Sequence, residues 1–128
     1  MQREIKFRGK RIDNGEWVYG SLIQEPHRTR IFTVRDEKSS SMHEVDPETV
    51  GQYIGSNDEN EIEIWEDDFI NGIDHDSKYG RTYKASLITY KNGEFGIDGQ
   101  LGGHLGIKHL SEIEVIGNIY ENPNLLTN

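Results

Sequence analysis

The stretch Tyr83-Lys84-Ala85-Ser86-Leu87-Ile88-Thr89-Tyr90, turning at Asn92-Gly93 and returning as Glu94-Phe95-Gly96-Ile97, decides the fold class. Strand-favouring residues fill both arms, and Asn-Gly readily takes the positive-φ positions of a tight hairpin turn. The same device stands upstream. In Arg3-Glu4-Ile5-Lys6-Phe7-Arg8 the apolar Ile5 and Phe7 share one face, and Glu4, Lys6 and Arg8 share the other. That alternation predicts a half-buried strand. Asp13-Asn14-Gly15 then turns into Glu16-Trp17-Val18-Tyr19-Gly20-Ser21-Leu22-Ile23, a first hairpin whose alternation sends Trp17 or Tyr19 to the core.

Outward from these hairpins the chain stays strand-like. Pro26 breaks the pattern before a third strand, Arg30-Ile31-Phe32-Thr33-Val34-Arg35. Asp36 to Ser41 has no apolar anchor and reads as a mobile loop. Asp46 is placed to cap a single helical turn with Pro47 at its first position. Ser56 to Glu61 reads as a polar bend, and Asn71 to Arg81 as a polar, glycine-bearing connection. Ile113 to Tyr120 is the last strand, where Gly117 marks a bulge or bend. Asn122-Pro123 then starts one closing turn. Several short strands with almost no helix predict an all-β protein built on a small barrel. A composition shift near Asp46–Gly51 divides an N-terminal β-hairpin layer, 1–48, from a C-terminal barrel, 49–128; a single domain over 1–128 is the alternative.

Charge narrows the function classes. The chain has 128 residues, a formal net charge of −9 and no cysteine. That composition removes thiolate metal sites, disulfides and a cysteine nucleophile. Residues 1–35 carry 8 basic side chains against 4 acidic ones, whereas 36–76 carry Lys38 alone against 14 acids. An acidic balance opposes binding to phosphate backbones. The split suggests attraction between the two regions, within one chain or between copies. Met1-Gln2-Arg3-Glu4-Ile5-Lys6 carries charges where a signal peptide needs apolar residues. No run approaches the ~20 apolar residues of a membrane span, so a cytoplasmic location is expected.

Candidate chemistry is thin. Glu66, Asp67, Asp68, Asp74 and Asp76, with His75 among them, have the ligand types for a divalent cation, but match no calcium-loop spacing. Solvated loop acids are the plainer reading. His104 and His109 bracket the glycines 99, 102, 103 and 106, while His27 and His43 stand apart. None has a visible partner of the kind a general base requires. Serines 39–41 lack a nucleophile-elbow context, and the glycines fit neither phosphate-loop pattern, leaving turns as their reading. A metal-dependent hydrolase is therefore the weakest of the functional readings. Arg3, Lys6, Arg8, Lys10 and Arg11, with Trp17 and Tyr19 across the hairpin, have the composition of a single-strand nucleic-acid surface. Catalytic, metal-binding and cofactor residues are expected to be none.

Three blocks together resemble the YopX family of phage and prophage proteins, which has no assigned activity. They are Arg3-Glu4-Ile5-Lys6-Phe7-Arg8-Gly9, Thr49-Val50-Gly51-Gln52-Tyr53-Ile54-Gly55, and Glu114-Val115-Ile116-Gly117-Asn118-Ile119-Tyr120-Glu121-Asn122-Pro123. The family's Glu-Gly-Asp-Ile-Val motif aligns with Glu66-Asp67-Asp68-Phe69-Ile70, where Asp67 replaces a glycine and puts a glycine-only turn in doubt. The resemblance implies an SH3-like β-barrel from about Gly51 to Tyr120. The expected function is that of a phage-encoded accessory protein acting without catalysis, through self-association or contacts with a host or phage protein. A nucleic-acid-binding module is the alternative.

Overall fold

The structure is a computed structural model and describes residues 3–126. The chain divides into two compact units, Met1–Gly55 and Ser56–Asn128. The described residues form twelve strands and three single-turn 3-10 helices. The protein is all-β, its strands paired antiparallel. Among the described residues no closed barrel is found. None of their helices is long and apolar enough to cross a membrane.

The first unit holds β1 (Phe7–Lys10), β2 (Trp17–Glu25), β3 (Arg28–Asp36) and β4 (Ser39–Val45), and the chain leaves it along β5 (Gly51–Asn57). The strands lie in the order β4-β3-β2-β1-β5. Beyond β1 the sheet curls back on itself: Arg11 bridges Val45, and the Ile12 amide donates to the Glu44 carbonyl at 3.1 Å. Ile31 and Val45 are buried against Gly9, on the inside of that curl. The first strand begins later than its alternation predicts, at Phe7, leaving Ile5 exposed. Asp46 caps the 3-10 turn Pro47–Thr49 as expected, its Oδ1 accepting from the Glu48 amide at 3.0 Å.

Two expectations in this unit are overturned. Asp36–Ser41 is not a mobile loop: β3 runs to Asp36, the chain turns at Glu37-Lys38, and the serines open β4. Backbone ladder bonds hold a strand without any apolar anchor, and Arg35 adds donors to Ser39 Oγ at 3.3 Å and Ser41 Oγ at 2.9 Å. Nor does Trp17 or Tyr19 reach the core. Their cross-strand partners are Lys10 and Arg8, while Val18, opposite Gly9, takes the inner face.

The second unit holds β6 (Glu63–Trp65), β7 (Asp68–Asp74), β8 (Arg81–Leu87), β9 (Thr89–Lys91), β10 (Glu94–Asp98), β11 (His104–Gly106) and β12 (Leu110–Asn118). Two three-stranded sheets result, β12-β7-β8 and β11-β10-β9. Tyr83–Tyr90 is therefore two strands rather than one. They are parted at the fully buried Ile88, whose amide donates to the Asp68 carbonyl and whose carbonyl accepts from the Asp67 amide. Asn71–Asp74, read as connection, is the continuation of β7. The Asn92-Gly93 turn forms as expected: both residues have positive φ (53° and 81°), and Lys91 pairs with Glu94 across it. At Asn14-Gly15 only Gly15 does (72°), and a longer loop closes where the Arg11 amide meets the Glu16 carbonyl. Ile64, Phe69, Ile70, Ile88 and Ile97 are fully buried in this unit, each stabilising it by about 1.5–3 kcal/mol.

Candidate functional site

The acids crowded together in sequence do not converge in space. Glu66 and Asp67 make the turn from β6 into β7, and Asp67 takes the left-handed conformation (φ 71°). The tight turn thus survives without its glycine, because a short polar side chain tolerates this region. The Tyr120 hydroxyl donates to Asp67 Oδ2 at 2.5 Å, and the Trp65 amide to Asp68 Oδ2 at 2.8 Å. Asp74 lies at the opposite end of β7, about 20 Å away at ~3.3 Å per residue. No shared ion can span that distance. Among the described residues no group of three or more His, Cys, Asp or Glu side chains is arranged to hold a metal.

The fold does bring the distant His109 to the adjacent pair His75 and Asp76. His109 Nδ1 bonds to Asp76 Oδ2, and His75 Nδ1 lies 3.2 Å from Asp76 Oδ1. His75 Nε2 faces the Lys108 carbonyl at 3.2 Å. Both nitrogens of His75 thus lie near oxygen atoms. The hydrogen bond from His109 is the chief reason Asp76 titrates below the usual carboxylate range, outweighing its partial desolvation, with the charge of His75 adding. The hydroxyl next to the trio in sequence, Ser77 Oγ, accepts from the Tyr79 and Arg81 amides. A depression of about 460 Å³ in this unit is lined instead by Lys91, Asn92, Asp98, His104 and the glycine turn. His104 Nε2 is bonded to the Glu94 carbonyl, and His27 and His43 fall in the β2–β3 turn and on β4.

The basic strand is internally occupied. Alternation puts Lys6, Arg8 and Lys10 on one face, where the Arg8 guanidinium lies 4.4 Å from the Trp17 ring centre and the Lys10 ammonium 5.3 Å from it. Lys6 covers Tyr53 at 4.9 Å and meets Glu4 at 3.4 Å. Arg11 is paired with Asp13 at 2.6 Å, and Arg8 is only 7 % exposed. Cations already on the Trp17 and Tyr53 rings compete with base stacking there.

The most exposed large hydrophobic side chains among the described residues lie elsewhere. Tyr79, in the turn after β7, and Leu101, at the tip of the glycine turn, are each 85 % exposed. Gln100 ties the two loops to one strand: its Nε2 donates to the Thr82 carbonyl at 2.8 Å, and its amide to the Tyr83 hydroxyl at 3.1 Å. The Lys78 ammonium lies 5.4 Å from the Tyr79 ring centre, Lys84 is exposed and Arg81 half-buried; no acid occurs from Ser77 to Gly93, and the exposed Asp98 is paired with Lys91 at 3.1 Å. Sequence reasoning passed over this patch because one aromatic in a polar turn has no periodicity to mark it. It also missed Asp58, a buried carboxylate inside the expected bend. Asp58 Oδ1 accepts from the Asn60 and Ile62 amides at 2.8 and 2.9 Å, and Oδ2 from the Val115 amide at 2.9 Å. Burial alone would raise its pKa; those three donors outweigh burial and hold it below the ordinary value.

A family model described as YopX protein matches residues 6–127. The chain belongs to that family. The solved structure of protein EF1440 from Enterococcus faecalis is similar in fold, with a TM-score of 0.56 and 23 % identity, over 98 % of this chain and all of that one. None of the curated proteins matches.

The YopX signature blocks coincide with scaffold. The opening block leads into β1, the middle block runs into β5, and Glu66–Ile70 holds the β6–β7 turn. The terminal block closes the second unit. β12 bulges between Val115 and Gly117, and a side chain at Gly117 would strike Asn122 Oδ1 at 2.5 Å. Asn122 Oδ1 accepts the Asn118 amide at 3.1 Å, and Asn118 Oδ1 accepts those of Tyr120 and Glu121 at 3.0 and 2.9 Å. Pro123–Leu125 then makes the closing turn.

Proposed function

We propose that this YopX-family chain is a phage- or prophage-encoded accessory protein of the cytoplasm that acts without catalysis, by docking to other protein. The observation that carries this reading is the Tyr79–Leu101 patch with its basic rim. Aromatic and aliphatic anchors ringed by polar groups are what protein interfaces use. Three of the acids are engaged in structure: Asp58, Asp67 and Asp68 hold backbone or hydroxyl donors. The finer architecture that accompanies this reading is an SH3-like barrel over roughly 51–120, supported by the passage of one chain segment from sheet to sheet at Ile88.

A photo-crosslinking residue in place of Leu101, with one in place of Tyr90 as control, tests the docking reading in cells carrying the gene. Protein adducts specific to position 101 are the expected result. Adducts to nucleic acid, or none above control, would remove the reading.

A further inference from the structure

We infer that the occupant of the Tyr79–Leu101 patch is the acidic loop Asp58–Ile62 of a second copy, giving head-to-tail self-association; this rests on the docking reading above. That loop displays Ile62, 53 % exposed, directly after the exposed Glu61 and three residues beyond the exposed Glu59. It is an apolar knob with a negative rim, and the patch is an apolar pair with a positive one. Association between such surfaces is steered by charge and anchored by apolar burial.

The loop is rigid before it binds. The buried Asp58 carboxylate clamps the Asn60, Ile62 and Val115 amides, the Glu59 amide donates to the Ile113 carbonyl at 2.9 Å, and Glu61 is held at φ 64°. A preorganised loop loses little entropy on docking. The patch is braced in turn by Gln100 and by Ser77, which fixes the Tyr79–Arg81 turn.

Topology decides between contact within one chain and contact between copies. Asp58 and Glu59 bond to Val115 and Ile113, on the outer edge of β12; Gln100 bonds to Thr82, on the outer edge of β8. β7 lies between those two strands, so the edges stand about 10 Å apart, back to back across a sheet with ~4.8 Å strand spacing. Loop and patch of one molecule face away from each other. In two copies they face, and because the surfaces are different the contact is heterologous and repeats into a ring or a filament.

The test is a charge exchange on the intact protein, followed by light scattering during size-exclusion chromatography over a concentration series. Wild type is expected to self-associate, more weakly as salt rises. K78E/K84E, with patch and loop both negative, and E59K/E61K, with both positive, are each expected to be monomeric. Mixing the two variants is expected to restore association, since each then offers what the other lacks. Circular dichroism matching wild type confirms that both variants fold. A wild type monomeric at every concentration overturns the inference, as do variants that associate unchanged, or a mixture that stays monomeric. Adducts at position 101 to a different protein would sink the self-association and leave the docking function standing.

Discussion

Asp58→Ala is the sharpest perturbation of the second unit. The carboxylate receives three backbone amides while itself buried. Hydrogen bonds to a charged acceptor contribute about 1.5–3 kcal/mol each. The Asn60 donor belongs to an exposed residue and recovers most of its bond from water. Ile62 is exposed as well, whereas the half-buried Val115 donor on β12 loses its partner outright, so the expected cost is about 2–3 kcal/mol. Asp58→Asn separates charge from shape: its oxygen can keep Asn60 and Ile62, but its amide then meets the Val115 donor, for an expected cost of about 1.5–2 kcal/mol. Urea unfolding followed by Trp65 fluorescence, in a Trp17→Phe background, reads this unit alone. Hydrogen exchange should show the Val115 and Ile62 amides losing protection in the alanine variant. The pH dependence has a fixed sign. The folded pKa is depressed, so the contribution is complete above the unfolded value of about 3.9 and disappears as pH falls through the folded one. The gap between wild type and Asp58→Asn should therefore be constant near neutrality and narrow in acid below about pH 4. An alanine variant within 0.5 kcal/mol of wild type, with Val115 still protected, would refute the reasoning.

Two further predictions follow from single geometries. Asp67→Gly should keep the β6–β7 turn and lose only the Tyr120 bond, while Asp67→Ala loses that bond and also meets left-handed strain, costing about 1–2 kcal/mol more than glycine; equal chemical-denaturation midpoints for the two would contradict the turn assignment. In His109→Ala, the Asp76 carboxyl should titrate closer to the ordinary carboxylate range than in wild type, because its largest stabilising partner is gone; NMR titration of that carboxyl with no upward movement would dismiss the pair.

The β class was legible because alternation and Asn-Gly corners are local properties, and local properties are written residue by residue. Asn92-Gly93 formed the two-residue turn its chemistry demands, and Asp46-Pro47 capped its turn. Sequence failed where strand formation needed a distant partner. Ser39–Ser41 look like loop residues until β3 supplies a ladder, and Asn71–Asp74 until β8 and β12 flank it. The break at Ile88 was equally invisible, since an apolar run reads the same whether it stays in one sheet or crosses into another. Family membership also came from sequence, yet its marker residues turned out to hold corners and closures rather than a site.

What the chain alone determined is its antiparallel β character, its turns, its uneven charge and its YopX kinship. Tertiary structure alone decided which charges are spent inside the protein and which face outward. Arg8 was buried against Trp17, Asp58 and Asp68 became buried clamps, and Gln100 tied the loop that carries Leu101 to the start of β8, just beyond the turn that carries Tyr79. The reason is that partnership between residues tens of positions apart depends on register and sheet order, which no local window of sequence contains.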